Sequence, residues 1–401
     1  MTIVLIGEIA KVTNGKTPSK IEQREEGFPV LKIKNIDENG KFRNNIDSFV
    51  DQEQAAKFKD KIIQENDILI LNAAHNASYV GSKMCLADKN ISGNLATGEW
   101  TIIRPSLTKI VPEYLYLWLN SYNGKRQIKN IVKGIHLYPK DVATIQIPHI
   151  PLEEQKSIAE ELQQAKSINQ KRKHTISLLD EYIKSVFIEM FGDPVTNPMG
   201  WETKTIEQLV KNERYSIKRG PFGGSLKKEV FVEDGYLVYE QFHALNNDFT
   251  MARYFINEEK FNELKAFEVK AGDIIISCSG VYLGKLAIVP EGSRKGIINQ
   301  ALLKISLDNT KMNSQLFLYI FSNKNFKNKF FGSNIGSGIP NFPAMPEFKK
   351  FSFIYPPIEL QNRFALVVEK TKALKQKMLT QSYKLETQFQ SLSQRSFSNL
   401  N

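Results

Sequence analysis

The amino-acid sequence predicts an α+β protein, with two pseudo-symmetric mixed α/β domains separated by two long antiparallel α-helices that form a coiled coil. Three observations lead to this prediction. The chain has 401 residues, which exceeds the usual size of a single domain. Short motifs recur about 206 residues apart, and each copy of the repeat ends in a stretch whose apolar residues follow a heptad pattern.

The repeat is a duplication of a domain-sized module. SFVDQE at 48–53 aligns with YFINEE at 254–259, NDILI at 66–70 with GDIII at 272–276, and PLEEQ at 151–155 with PIELQ at 357–361. A period of this length is too long for a solenoid repeat. The predicted boundaries are a first mixed domain at 1–150, a long helix at 151–192, a second mixed domain at 193–356 and a second long helix at 357–401.

Each mixed domain is predicted to contain short strands followed by a helix. Val- and Ile-rich runs bounded by Gly, Asn and Pro indicate strands at 29–33, 67–71 and 100–103, and at 236–239, 273–277 and 301–305. An aromatic and apolar stripe at helical spacing indicates a helix at 112–120 and its counterpart at 314–322. Such a stripe is more typical of a core than of a binding surface.

The two long helices are predicted at about 153–191 and 359–397. A helix of 39 residues is about 58 Å long, and a small module cannot cover its apolar seam without a second helix alongside. Antiparallel pairing is expected because a whole domain connects the two helices. Polar residues such as Asn169 near the middle of the seam cost stability but fix register. The residues predicted to pack the pair are Ile158, Leu162, Ile176, Leu179, Ile183, Phe364, Val368, Met378, Leu385 and Phe389.

Composition favours a polyanionic partner. Lys and Arg outnumber Asp and Glu by 54 to 43, giving a net charge of +11 and a pI near 9.3, although many basic proteins bind no nucleic acid. The two cysteines and five histidines do not cluster, which argues against a disulfide scaffold or a zinc module, and no metal site is expected. The short apolar start and the lack of a run of about 18 apolar residues predict a cytoplasmic protein.

The segment at 150–194 resembles the repeated helical region of type I restriction–modification specificity subunits. In that family a Pro-aliphatic-x-x-Gln start leads into a long helix that ends near Met-Phe-Gly, as PLEEQ and MFG do here. IGEIAKVTNGKTPSK near the start and IKRGPFGGSLKKEVF at 217–231 resemble the beginnings of two varieties of target-recognition domain. The second helix departs from the pattern, since it opens PIELQ and lacks the Met-Phe-Gly close.

The resemblance implies that the mixed domains are target-recognition domains that read an asymmetric, bipartite double-stranded DNA site. It implies a non-catalytic chain that positions two modification (methyltransferase) subunits and restriction (translocase and nuclease) subunits, with the helix pair setting the gap between half-sites. The assembled complex would be an adenine-N6 DNA methyltransferase and an ATP-dependent endonuclease. S-adenosylmethionine, ATP and Mg would serve those partner subunits, and this chain would bind none of them.

Three enzyme motifs fail on inspection of the sequence. YPPI at 355–358 lacks the polar leader and the final aromatic of an amino-methyltransferase loop. GVYLGK at 280–285 has three residues between its glycines where a phosphate-binding loop has four. EEK at 258–260 and EVK at 268–270 match a nuclease tripeptide, but this tripeptide occurs readily by chance. The sequence therefore predicts a chain without catalytic residues.

Candidate DNA-binding residues come from charge and loop chemistry. Residues 121–140 carry five basic side chains and no acid, and the matching stretch 309–346 also lacks acids, which suits phosphate contact but also fits a solvated Lys-rich face. The GPFGG turn at 220–224 could let the backbone approach DNA, or be only a tight turn. The candidates are Lys16, Thr17, Ser19, Lys20, His75, Asn76, Ser78, Tyr79, Lys83, Lys125, Arg126, Lys129, Lys133, His136, Tyr138, Lys218, Arg219, Phe222, Gly223, Ser225, Lys227, Ser279, Tyr282, Lys285, Gln300, Lys324, Lys327, Asn334, Ser337 and Asn341.

Two other functions stay open at this point. A non-enzymatic coiled-coil adaptor with two protein- or carbohydrate-binding domains would explain the repeat and the heptads, but not the matched acid-free basic stretches. A methylation system without a restriction subunit would have the same specificity chain. The sequence gives neither the DNA target nor the gap length.

Overall fold

The computed structural model describes residues 2–280, 282–332 and 342–398, and the chain divides into two compact units. The first unit comprises Met1–His174 and Thr380–Asn401, and the second comprises Thr175–Leu379. Each unit contains a mixed α/β part, called here the first head and the second head, and a portion of both long helices. The fold class predicted from the sequence is confirmed.

In the first unit, the strands are β1 (Thr2–Leu5), β2 (Ala10–Asn14), β3 (Phe28–Leu31), β4 (Phe49–Val50), β5 (Ile68–Leu71), β6 (Met84–Leu86), β7 (Leu95–Ala96), β8 (Trp100–Pro105) and β9 (Gln146–His149). The α-helices are α1 (Ile6–Ile9), α2 (Gln52–Lys57), α3 (Pro112–Asn120), α4 (Tyr122–Ile131), α5 (Pro139–Val142) and the long α6 (Leu152–Phe191), which continues into the second unit. Short 3-10 turns occupy Ile33–Asn35, Lys59–Lys61 and Ala77–Tyr79.

The main sheet of the first head has the strand order β2-β8-β5-β6 and is antiparallel throughout. A second sheet has the order β4-β3-β7, with β3 parallel to β7, and β1 pairs with β9. All four residues of β5 are buried, because Ile68 and Ile70 face one apolar cluster while Leu69 and Leu71 face another. A strand covered on both faces reads as an unbroken apolar run, which is why this motif stands out in the sequence.

In the second unit, the strands are β10 (Thr203–Thr205), β11 (Ile217–Arg219), β12 (Phe231–Val232), β13 (Tyr236–Tyr239), β14 (Phe255–Ile256), β15 (Glu268–Val269), β16 (Ile274–Ser277), β17 (Leu286–Ile288), β18 (Gly296–Ile298), β19 (Leu302–Ile305) and β20 (Ser352–Ile354). The α-helices are α7 (Ile206–Leu209), α8 (Gln241–Asn246), α9 (Glu258–Glu263), α10 (Ser314–Ser322), α11 (Lys324–Phe331), α12 (Met345–Phe348) and the long α13 (Ile358–Ser398), which ends in the first unit. Short 3-10 turns occupy Gly223–Ser225, Lys228–Val230 and Lys265–Phe267.

The second head repeats the strand order of the first and adds one strand at each edge of the smaller sheet. Its main sheet has the order β11-β19-β16-β17, its other sheet has the order β12-β14-β13-β18-β15, and β10 pairs with β20. As in the first head, the second sheet contains one parallel pair, β13 with β18. Ile274 and Ile276 pack in one apolar cluster and Ile275 in another, so β16 is buried on both faces like β5.

Within each unit the two long helices lie side by side and antiparallel. In the first unit the Lys173 Nζ lies 3.1 Å from an Oε of Glu386, and Phe397 at the end of α13 joins the core near the start of α6. In the second unit the Phe364 ring lies 5.5 Å from the ring of Phe191. Of the residues predicted to pack the pair, Leu162, Ile176, Ile183, Phe364, Val368 and Met378 are buried, while Ile158, Leu179, Leu385 and Phe389 are half-buried.

Each long helix is attached to its head by a fully buried glutamine. The Gln155 Oε1 accepts from the Val111 N–H at 2.8 Å, and its Nε2 donates to the Ile150 carbonyl at 2.8 Å. Gln361, the matching residue of the second copy, accepts from the Asn313 N–H at 2.8 Å and donates to the Pro356 carbonyl at 2.8 Å. The glutamine of the PLEEQ and PIELQ motifs therefore joins the start of a long helix to the start of α3 or α10.

The helices α4 and α11 were not predicted from the sequence. Both begin at a polar cap directly after the preceding helix: the Ser121 Oγ accepts from the Gly124 N–H at 3.3 Å, and the Asn323 Oδ1 accepts from the Asn325 N–H at 2.8 Å. Both helices are short and rich in Asn and Lys, and each carries only three large apolar side chains, so their sequences were interpreted as basic segments and not as helices. Among the described residues, no helix has the length and apolar character needed to cross a membrane.

Candidate nucleic-acid interface

Three loops of the first head meet at one edge of its main sheet. Because neighbouring strands are antiparallel, the ends of β2 and β5 and the beginning of β8 lie on the same side of the sheet. The segments 15–20, 72–83 and 96–99 extend from these strand ends and are called here the first edge. The Lys16 N–H donates to the Ala96 carbonyl at 2.8 Å, and the Gly98 N–H donates to the Thr17 hydroxyl at 2.8 Å. Two predicted DNA-binding loops are thus brought together.

A buried polar network holds the first edge in place. The Nδ2 of Asn72 donates to the Asn14 Oδ1 at 3.1 Å and to the Gly98 carbonyl at 2.9 Å, and the Thr101 hydroxyl donates to the same Asn14 oxygen at 2.9 Å. Asn72 is only 4% exposed, so it positions the loops and does not itself face solvent. No single motif in the sequence marks these residues, because they come together only through strand pairing.

The basic segment 121–140 reaches the same edge. The Leu137 N–H donates to the Asn72 carbonyl at 2.8 Å, and Ala73 and His136 form an isolated β-bridge. The exposed rings of His136 and Tyr138 therefore lie beside the loop at 72–83. The sequence predicted each segment separately, whereas the structure places them together.

A groove of about 570 Å³ separates the loop at 77–82 from α4. The exposed Lys125 and Lys129 line this groove, and one wall is formed at Gly81, whose φ of +75° favours glycine. A Cβ on Gly81 would lie 2.6 Å from the Cγ2 of Ile128, so the loop approaches the helix too closely for any other residue. A groove lined by free lysines suits a phosphate backbone.

The second head has an equivalent edge, formed by 220–225, 277–280, 282–285 and 299–301 and called here the second edge. The Gly220 N–H donates to the carbonyl of Leu302, the first residue of β19, just as the Gly15 N–H donates to Trp100, the first residue of β8, both at 2.8 Å. The Nε2 of Gln241 donates to the Ser277 Oγ at 2.8 Å and fixes the loop that follows β16. The two edges thus share a frame but carry different side chains.

Positive charge is concentrated beside the second edge. Burial lowers the pKa of Lys327 on α11, and the neighbouring ammonium group of Lys285 lowers it further. Two neighbouring ammonium groups raise the local positive potential and attract an anion. The Phe342 N–H donates to the Cys278 carbonyl at 3.0 Å, which repeats the contact of Leu137 with Asn72 in the first head.

Most of the predicted DNA-binding side chains are accessible. The exposed ones are Lys16, Thr17, Ser19, Lys20, His75, Asn76, Ser78, Tyr79, Lys125, Arg126, Lys129, Lys133, His136, Tyr138, Phe222, Lys227, Tyr282, Lys285, Gln300 and Lys324. Those that are half-buried are Lys218, Arg219, Ser225, Ser279 and Lys327, and Gly223 begins a 3-10 turn. Asn334, Ser337 and Asn341 lie outside the described residues.

Three of the predicted lysines have partners within their own head. Lys83 is buried, and its Nζ donates to the Ile36 carbonyl at 2.8 Å and lies 3.2 Å from an Oε of Glu38, so its ammonium group is engaged inside the first head and is not presented at the edge as predicted. Lys133 pairs with Asp141 at 2.8 Å, directly beyond the acid-free stretch. The Nζ of Lys218 lies over the Phe267 ring, 4.8 Å from its centroid, so this ammonium group packs on the head and does not extend fully into solvent.

The family model of the type I restriction–modification DNA specificity domain matches residues 1–178 and 198–387. The chain belongs to the type I restriction–modification specificity family. A curated member, the type I restriction enzyme MjaVIII specificity subunit of Methanocaldococcus jannaschii, is 23% identical over 391 residues, which cover 90% of this chain and 84% of that protein.

Two solved structures have the same fold. A chain from a structure described as showing complex assembly and conformational transition of the type I R-M system has a TM-score of 0.64 at 16% identity, covering 99% of this chain and 97% of that one. The type I restriction–modification S subunit of M. genitalium has a TM-score of 0.53 at 13% identity, covering 99% and 96%. Membership of this specificity family makes DNA sequence recognition the role of the chain, in agreement with the prediction that it is non-catalytic.

Proposed function

We propose that this chain recognises an asymmetric, bipartite DNA target, with each head reading one half-site, and that it positions methyltransferase and restriction subunits on that DNA. Methyl transfer with S-adenosylmethionine and ATP-driven cleavage with Mg would then belong to the partner subunits. The proposal extends the specificity role of the family to a particular division of labour between the two heads.

The observation that carries the proposal is the pair of equivalent edges with unlike side chains. Both heads present loops from the same strand ends of the same sheet, and basic residues of α4 or α11 flank each edge. Phosphate contacts would come from these shared basic positions, because they orient a protein on DNA without reading sequence. Base contacts would come from the loops, whose side chains differ between the heads. The first edge carries His75 and Tyr79, whereas the second edge carries Tyr282 and Gln300.

The long helices supply a fixed spacer in this proposal. The 40-residue helix α6 is about 60 Å long, which exceeds one turn of DNA at about 34–36 Å. We expect an insertion of four residues into one long helix to lengthen the gap while both half-sites stay the same. Methylome sequencing of a host that carries the insertion would test this, and an unchanged gap would contradict it.

The half-site assignment is tested by edge variants in the complex with the methyltransferase subunits. The double variant His75→Ala/Tyr79→Ala should relax methylation specificity in one half-site, and Tyr282→Ala/Gln300→Ala should relax it in the other. Lys89→Ala is the matched control, since this exposed residue lies beyond β6 at the opposite side of the first sheet. Relaxation of both half-sites by one double variant, or of neither by both, would refute the division of labour.

The adaptor function makes a different prediction for salt. If the edges contact phosphates, the logarithm of DNA affinity should fall by about 0.9 for each contact per tenfold rise in salt. A coiled-coil adaptor for protein or carbohydrate would show no such dependence on duplex DNA. A flat response by the purified complex would therefore favour the adaptor.

A further inference from the structure

The phenyl ring of Phe222 is 93% exposed on a loop of the second edge. Single exposed apolar side chains are common on proteins and need no explanation by themselves. Three features separate this ring from an ordinary exposed side chain. The loop that carries it is anchored by hydrogen bonds and buried residues, its neighbours in the sequence are cationic, and the residue at the same position in the first head is a hydrogen-bonded threonine.

The loop is anchored on both sides of Phe222. On one side the Gly220 N–H bonds to the first residue of β19, and a Cβ on Gly220 would lie 1.8 Å from the Asn299 carbonyl oxygen, so the backbone is pressed against its neighbour. Pro221 is buried, and Leu226 on the far side is also buried. The Ser225 N–H closes a turn onto the Phe222 carbonyl at 2.9 Å. The ring is therefore displayed on a fixed support and cannot fold back into the head's core without loss of these contacts.

The surroundings of the ring are basic. Arg219 precedes it at the end of β11, and the exposed Lys227 and Lys228 follow it, with Glu229 as the nearest acid in the sequence. A protein groove that bound an apolar ring would not in general also carry the negative charge that complements these basic side chains. DNA combines both properties, because apolar base faces are stacked between two lines of phosphates.

The first head has no such ring. Gly15 occupies the position of Gly220, with the same hydrogen bond to the first residue of the neighbouring strand. Two residues further on, where the second head has Phe222, the first head has Thr17, whose hydroxyl accepts from the Gly98 N–H at 2.8 Å. The feature therefore belongs to one head only.

We propose, on the basis of the DNA-recognition function proposed above, that Phe222 inserts between adjacent bases of the half-site read by the second head. The ring stacks on a base and partly opens one base step, while Arg219 and the following lysines hold the flanking phosphates. Apolar side chains that enter base steps in this way unstack and kink the duplex. The second half-site is thus recognised partly through its ability to be deformed. A flexible pyrimidine–purine step favours insertion of the ring, because such a step is easily unstacked.

The experiment uses the full chain with its methyltransferase subunits and duplexes carrying 2-aminopurine at successive adenine positions of the methylated target. With the natural chain, fluorescence should rise at one step, within the half-site assigned to the second head. Phe222→Ala should abolish that rise and weaken binding roughly 5- to 150-fold, the range that one base–aromatic stack contributes. Phe222→Trp should retain both, because it preserves the aromatic face.

Two controls separate an inserted ring from other causes. Leu107→Ala removes another exposed apolar side chain, at the far end of β8, and should change neither fluorescence nor affinity. The salt dependence of binding should be the same for Phe222→Ala as for the natural chain, since no phosphate contact is lost, whereas Arg219→Ala should reduce it.

Unaltered affinity and an unaltered fluorescence profile for Phe222→Ala, in a complex that still binds its target specifically, would refute the inserted ring and leave the proposed function intact. Absence of sequence-specific binding by the natural complex would instead refute the proposed function. Loss of binding by Phe222→Ala and Phe222→Trp alike would also refute insertion, because stacking cannot then be the cause.

Discussion

The buried glutamine at the start of each long helix permits a quantitative prediction. Replacing Gln155 by Met keeps the side-chain volume but removes both hydrogen-bonding atoms. The Val111 N–H and the Ile150 carbonyl would then lose their partner, and each buried group left without one costs about 1–3 kcal/mol. Because the Val111 site is only partly buried and water can reach it, we expect a loss of about 2–4 kcal/mol in the free energy of unfolding.

Equilibrium urea unfolding of the full chain, followed by circular dichroism, would measure this loss. With a slope of about 2–3 kcal/mol per molar urea, the transition of the first unit should shift down by about 0.7–2 M. Gln361→Met should shift the transition of the second unit in the same way, because its bonds to Asn313 and Pro356 have the same geometry. Gln163→Met is the control, since this residue is exposed on the same helix as Gln155. A Gln155→Met midpoint equal to that of the control would refute the assignment of Gln155 as the attachment of α6.

Three further outcomes follow from other contacts. Gly220→Ala should destabilise the second head by about 1–3 kcal/mol, because its Cβ would collide with a backbone carbonyl, whereas Gly224→Ala should be nearly neutral in thermal melting, since nothing lies within 4 Å of its Cβ position. Lys125→Met/Lys129→Met should reduce the salt slope of DNA binding by up to about 1.8, and an unchanged slope would remove α4 from the interface. Burial raises the pKa of both cysteine thiols to about 12, so on the order of 10⁻⁴ of each is thiolate at pH 8, and iodoacetamide should label them only after unfolding.

The architecture could be predicted because its signals are long or repeated. The strand at 67–71 and its copy at 273–277 are unbroken apolar runs, since both faces of β5 and β16 are covered. The helix at 112–120 carries its apolar stripe through more than two turns, and the structure places α3 at those residues. The heptad pattern of α6 and α13 predicted that the two helices pair, because an apolar seam of that length must be covered by another helix.

The candidate interface was less predictable because it depends on contacts between distant segments. Asn72 looks like an ordinary polar residue after a strand, and its role at the first edge follows from bonds to Asn14 and Gly98. Lys83 was assigned to DNA because it is basic and lies in a loop, yet its ammonium group is used inside the head. Charge and loop position are local properties, whereas accessibility depends on how the strands pair.

The end of α13 belongs to the core of the first head, where the Phe397 ring lies 5.6 Å from the ring of Tyr114. During synthesis, residues Thr175–Leu379 leave the ribosome between the two segments of the first unit. At about 5–20 residues per second, the roughly 220 residues between His174 and Phe397 take about 10–45 s to translate. The second unit, encoded later but contiguous, can therefore complete its chain first, while the earlier-made head waits with the apolar surface that Phe397 covers still open to solvent.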